Sequence, residues 1–215
     1  MTLAEGCYYG MFNGCSSLVN PPVLPATTLA ASCYYSMFFS CGNLAYAPAL
    51  PATTIPENAY RQMFVYCTSI TSTPALPGTT LYNACYYYMF YGCSSLVNTV
   101  PLEALSVPYQ GYYGMFDLCT SLVTAPEIMA TSIASQGLAY MFYGCSSLIT
   151  APPRIRALTL GDAACYSFCN RCSNLRVASE IDATTVGVQC FMWGFYLCPQ
   201  LRRAPSVLRP TTIPK

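Results

Sequence analysis

Fourteen cysteines and no histidine set the chemistry open to this 215-residue chain. A cysteine or serine nucleophile needs a neighbouring base, and imidazole, the usual one, is absent. Cys165, Cys169 and Cys172 lie close together and include one Cys-x-x-Cys step. Zinc sites join two such steps or complete one with histidine, so the group reads as filler for an altered stretch of core, and no metal is expected. The eight carboxylates are Glu5, Glu57, Glu103, Asp117, Glu127, Asp162, Glu180 and Asp182. Only Glu180 and Asp182 are near neighbours, flanking Ile181, and a glycosidase-like pair is the one acid–base arrangement they allow. No glycine-rich phosphate loop is present. The reading is a protein that is not an enzyme and needs no cofactor.

The remaining cysteines lead from chemistry to organisation. Cys15, Cys41, Cys67, Cys93, Cys119, Cys145, Cys172 and Cys198 recur every 26 residues, with one extra residue inserted near Pro153–Arg156. Met-Phe pairs at 11–12, 37–38, 63–64, 89–90, 115–116 and 141–142 keep the same step. Three residues after each cysteine stands Leu or Ile, from Leu18 to Leu201. Another column, Cys7, Cys33, Ala59, Cys85, Gly111, Gly137, Ala164 and Cys190, takes only small side chains, the mark of a tight internal contact. Self-similarity at such a period signals a solenoid. Residues 1–215 are expected to form a single solenoid of eight repeats, with both ends falling within a repeat.

Within one unit, residues 7–32, the positions of Cys7, Tyr8, Met11, Phe12 and Cys15 share one face of a helix, and those of Tyr9, Gly10 and Asn13 the other. After the cysteine, Ala-Pro steps favour extended backbone, and LPATTLA places threonines where they would cap a following helix. The expected fold is therefore an α/β repeat solenoid, with a parallel sheet on one face and short helices or helical turns on the other. A ladder of cysteines pointing in parallel suits disulfides poorly, so those thiols read as small buried apolar groups.

Composition excludes further classes. Hydrophobic residues make up 54% and charged residues 8%, with net charge +1, which argues against disorder and against nucleic acid. Arg154, Arg156, Arg171, Arg176, Arg202, Arg203, Arg209 and Lys215 nevertheless gather in the last third. The longest apolar run, Val186 to Cys198, is shorter than the roughly 18–20 residues a bilayer needs, so no membrane insertion is expected. No signal peptide opens the segment.

The pattern CYxxMFxGCSSLxxAPxLPATTL resembles the BspA-like branch of leucine-rich-repeat surface proteins, over essentially the whole chain from Leu3 to Ile213. The resemblance implies a right-handed curved solenoid and adhesion to host proteins or other cells, at the cell surface or secreted, as part of a longer protein. Two candidate binding surfaces follow. Outward helix positions hold Tyr9, Tyr35, Arg61, Tyr87, Tyr88, Tyr91, Tyr113, Tyr140, Tyr143, Trp193 and Tyr196. This mixture is like that of antibody paratopes; an aromatic ladder stacking on itself is the alternative. The second surface is the strand face, whose C-terminal part carries Arg176, Arg202 and Arg203, suited to an acidic group. The leading expectation is a binding module for a protein or glycan on a host or neighbouring cell. A fibre subunit, of a phage virion for example, assembling end to end through open solenoid ends, is the alternative.

Overall fold

The computed structural model describes residues 2–209. The repeats stack as eight coils, numbered here from the N-terminus, each hydrogen-bonded to the next. Eight two-residue strands are formed: β1 Thr54–Ile55, β2 Thr80–Leu81, β3 Ser106–Val107, β4 Ser132–Ile133, β5 Arg154–Ile155, β6 Thr159–Leu160, β7 Glu180–Ile181 and β8 Thr185–Val186. Thr54 pairs with Thr80 and Ser106 with Ser132, whereas Ser132 pairs with Thr159. The inserted residue therefore shifts the later register by one. Thr124 still faces Thr150, and Thr150 faces Val177, which places the extra residue after Thr150. Ile155 resumes the register opposite Ile181.

The parallel ladders and the coil-on-coil stacking make a repeat solenoid. The wall opposite the strands differs from the helix expected there: among the described residues no helix is present. The chain instead makes successive tight turns. In coil 1 the amides of Tyr9, Met11, Asn13 and Cys15 donate to the carbonyls of Gly6, Tyr8, Gly10 and Phe12, three residues back. The alternate amides, of Tyr8, Gly10, Phe12 and Gly14, donate across to Cys33, Tyr35, Met37 and Phe39 of coil 2. The same alternation recurs along the stack, so on this wall each coil gives hydrogen bonds forward and accepts them from behind. The threonines read as helix caps also act differently, Thr54, Thr80, Thr159 and Thr185 being partners in the parallel ladder.

Alternate turns carry φ > 0 at their third residue, the type II requirement. Three positions per coil are affected: Gly6, Gly10 and Gly14 in coil 1, Ser32, Ser36 and Ser40 in coil 2, and so on to Gln189, Trp193 and Leu197. None of the residues so placed is β-branched, in keeping with the high cost of that conformation for Val, Ile and Thr. At Gly114, φ is +56°, and an added Cβ would run into the ring of Tyr88 one coil earlier. Gly114→Val is expected to destabilise the protein by about 1–3 kcal/mol. Adding Tyr88→Ala should restore part of that loss in urea unfolding; no recovery would mean the ring is not the obstacle.

The core is a set of columns running through the stack. Phe12, Phe38, Phe64, Phe90, Phe116 and Phe142 stack at 5.3–5.8 Å, within 10° of parallel. Tyr8, Tyr34, Tyr60, Tyr86 and Tyr112 form a second stack at 5.7–5.9 Å. Coil 7 departs from this arrangement. Phe168 occupies the methionine position and meets Phe142 edge-on at 5.3 Å, while Cys169 takes the vacated phenylalanine place; the large and small side chains have exchanged positions.

The cysteine column has a role beyond filling space. Cys67 Sγ donates to the Phe38 carbonyl at 3.1 Å, Cys93 to Phe64 at 3.0 Å, Cys119 to Phe90 at 3.1 Å and Cys145 to Phe116 at 3.0 Å. Cys41, Cys172 and Cys198 repeat the bond to Phe12, Phe142 and Cys169. Only a short side chain with a polar tip can both fit there and reach back one coil. All fourteen thiols are free, and burial pushes Cys33 up to about 11 and Cys93 up to about 12. Thiolates are the reactive form, so an uncharged alkylating agent is expected to label exposed Cys7 and Cys15 quickly and half-buried Cys198 slowly. The eleven buried thiols should react only on unfolding. Mass-spectrometric mapping checks this; fast labelling of Cys67 or Cys119 in the native protein would contradict the packing.

Candidate functional site

The outward side chains of the turn wall form one aromatic spine. It begins with Tyr9 on Tyr35, 4.6 Å apart and 19° from parallel. Arg61 then replaces a ring: its guanidinium carbon lies 5.5 Å from the Tyr35 ring centre and 3.9 Å from that of Tyr87. Its Nε donates to the Tyr35 hydroxyl at 3.1 Å, and a second nitrogen reaches Asn58 Oδ1 at 3.4 Å. The stack continues from Tyr87 to Tyr113 at 4.8 Å, Tyr140 at 5.4 Å, Tyr166 at 5.4 Å and Trp193 at 5.5 Å. At coil 6 the regular column holds Ala139, which is buried, and Tyr140 from the adjoining position bridges the gap.

Beside this line runs a shorter one. Tyr88 meets Tyr91 at 5.1 Å and Tyr113 at 5.4 Å, both edge-on, and Tyr91 meets Tyr66 at 5.2 Å. Tyr143 lies 5.8 Å from Tyr140, and Tyr196 lies 6.5 Å from Trp193. The eleven residues picked out from the sequence thus lie on one wall and are linked through ring contacts, with Tyr9, Trp193 and Tyr196 more than half or half exposed. The rings stack on one another from coil to coil and leave outer edges exposed.

Three clefts open along the spine. One of about 290 Å³ is lined by Phe39, Gln62, Val65, Tyr66, Tyr88 and Tyr91. Another, of about 260 Å³, lies among Tyr113, Tyr140 and Tyr166. The third, of about 380 Å³, lies between Tyr140, Tyr143, Trp193 and Tyr196, over Ser167, Asn170 and Arg171. Sequence reasoning passed over Tyr66 and Arg171 as wall residues. They occupy the position of Gly14, Gly92 and Gly144, which looks like a turn glycine rather than a display site. The usable signal is the recurrence every fourth residue of Gly, which tolerates φ > 0 most readily, or of an unbranched or small side chain such as Ser, Gln or Ala.

On the strand side, the amides of both Arg202 and Arg203 donate to the Arg176 carbonyl at 3.0 Å, so the three arginines adjoin on neighbouring coils. Part of their charge is already answered. Glu180 accepts from the Ser206 amide at 2.9 Å and hydroxyl at 2.7 Å. Those bonds, with Arg203 and Arg154 nearby, hold its carboxyl below the usual range. Asp182 pairs with Arg154 at 2.6 Å, and Glu127 pairs with Arg156. Glu180 and Asp182 are therefore engaged in structural contacts, and Glu180 is tuned away from what a general acid requires. A cleft on this side, of about 510 Å³, is lined among others by Asn98, Val123, Thr124, Pro126 and Glu127. Among the described residues no group of three His, Cys, Asp or Glu converges as a metal site, and no helix is long and apolar enough to cross a membrane.

No family model matches the chain, and no curated protein is similar to it in sequence. Among solved structures, the chain is similar to a leucine rich cell surface protein from Faecalibacterium prausnitzii, at 12% identity and TM-score 0.30, over 94% of this chain and 76% of that one. It is also similar to a leucine-rich repeat protein from Bacteroides ovatus, at 14% identity and TM-score 0.28, over 90% of this chain and 68% of that one. Likeness of this degree carries no argument; the solenoid rests on its own hydrogen bonds.

Proposed function

We propose that the chain is a non-catalytic binding module of a surface or secreted leucine-rich-repeat protein of the BspA-like kind, recognising a protein or glycan. The aromatic spine carries this reading. A run of partly exposed rings across the coils is more apolar display than an inert surface keeps. Tyrosine and tryptophan supply contact area at low conformational cost, and stacking between coils holds them rigid before a partner arrives.

The test replaces Tyr9, Tyr35, Tyr87 and Tyr113 together with serine and compares binding to arrays of glycans and extracellular proteins. The parent chain is expected to bind a defined subset that the variant loses while keeping its circular dichroism spectrum. Binding unchanged in the variant would overturn the reading.

A second reading, end-to-end assembly into a fibre, is favoured by one observation: on the turn wall each coil donates amides to the next coil and accepts them from the one before, a pattern that a further copy would continue. Light scattering across a dilution series separates the two. A monomer throughout supports the module, whereas assemblies that lengthen with concentration support the fibre.

A further inference from the structure

We propose that the cleft spanning coils 6 to 8 binds a pyranose ring of a carboxylate-bearing glycan; this deepens the binding-module reading and rests on it. The walls are aromatic but not parallel. Trp193 and Tyr196 stand 39° apart, and Tyr140 and Tyr143 stand 54° apart. Where Tyr9 and Tyr35 close on each other at 19°, these rings splay and leave about 380 Å³ between them, inside the roughly 300–1,000 Å³ range of small-ligand clefts.

The floor is polar and incompletely satisfied. Asn170 is only 6% exposed, and its Nδ2 donates to Ser167 Oγ at 3.3 Å, but its Oδ1 is buried with no partner. An unpaired buried carbonyl is costly, and a hydroxyl donor reaching it from the cleft removes that cost. Arg171 stands at the rim with its guanidinium 5.7 Å from the Tyr143 ring centre. Among the described residues it has no carboxylate partner. The cleft therefore offers ring faces, one acceptor at depth and one cation at the edge.

A uronate ring matches all three features: its C–H face lies on an aromatic ring, a hydroxyl reaches Asn170, and its carboxylate meets Arg171. An apolar peptide side chain would leave Oδ1 unpaired, a cationic ligand would face Arg171, and a flat base would want parallel rings on both sides.

The chain's single tryptophan is Trp193, so tryptophan emission reports on this cleft alone. Titration of the full chain with trigalacturonic acid, beside neutral maltotriose, is the test. Saturable change with the uronate is expected, with neutral sugar at least about tenfold weaker, the scale of one charge-assisted pair. Arg171→Gln and Tyr196→Ser should each weaken the uronate response by a similar factor, and Tyr46→Ser, at an exposed ring outside the spine, should leave it unaltered. Both changed wall residues are exposed, so folding is not at stake. Silence up to millimolar uronate, equal response to the neutral sugar, or an unchanged response in Arg171→Gln would each overturn the proposal. A silent Trp193 with array binding still lost in the four-tyrosine variant would remove the glycan cleft and keep the broader module reading. Response to a protein ligand alone would assign the wall to protein recognition instead.

Discussion

Phe90→Ala is expected to lower the unfolding free energy by about 3–5 kcal/mol, the range for deleting a buried phenylalanine. Phe90 has no exposed surface and sits between Phe64 at 5.3 Å and Phe116 at 5.8 Å. Its carbonyl also accepts from the Cys93 amide at 3.1 Å and from Cys119 Sγ at 3.1 Å. A hole there damages two coil interfaces at once. Phe12, at coil 1, is only partly buried and has a single stacking partner, Phe38, so Phe12→Ala should cost about half as much or less. Urea unfolding followed by circular dichroism compares the two. Equal losses would show that stability does not travel from coil to coil as the stack implies.

Asp117 gives the second large effect, and it depends on pH. The residue is 4% exposed, its Oδ1 has no hydrogen-bond partner, and burial raises its carboxyl to about 8. The folded protein therefore keeps the proton up to about pH 8, whereas the unfolded chain releases it near pH 4. Between those values the folded state holds one proton more, so stability falls as pH rises, by roughly 1.4 kcal/mol per unit, and levels off above the window. Asp117→Asn cannot ionise, and asparagine already occupies the same column at Asn13 and Asn170. The variant is expected to match the parent near pH 4 and to exceed it by a few kcal/mol at pH 9. Thermal or urea unfolding at both values checks this; profiles that run parallel would show that Asp117 is ionised and solvated in the folded state.

The sequence carried the repeat, the core columns and the parallel pairing clearly, because burial leaves each column a narrow choice of side chain. It carried the local backbone poorly. Over one nine-residue stretch, a 3.6-residue helix and a chain of four-residue turns put the same side chains inward. Ala59, Tyr60, Met63, Phe64 and Cys67 are buried in either geometry. The two differ in where the amides go: to the same coil in a helix, to alternate coils here, and hydrophobic periodicity does not report on amides. The candidate surface was legible as a set of outward residues, since tyrosines at a fixed step must stack or protrude. The cleft was not. It depends on Tyr140 crossing over at Ala139 and on Arg171 standing where other coils have Gly14 or Gly92, departures from the repeat that only geometry brings together.

The one-way hydrogen bonds of the turn wall give that wall an electrical direction. Every cross-coil amide of that wall aims its hydrogen toward the next coil, as in Tyr8 to Cys33 and Cys165 to Cys190. Aligned peptide units add as they do along a helix, so the wall is a macrodipole with its positive pole toward coil 8. Side-chain charge has the same sense. Residues 1–153 hold one arginine and, besides the protonated Asp117, four carboxylates, while residues 154–215 hold seven arginines, one lysine and three carboxylates. A nearly neutral protein is thus a rod with an acidic head and a basic tail. Two copies attract when they lie in line, nose to tail, and repel side by side in the same sense. Because the screening length at physiological salt is about 8 Å, that preference acts only near contact and fades as salt is raised.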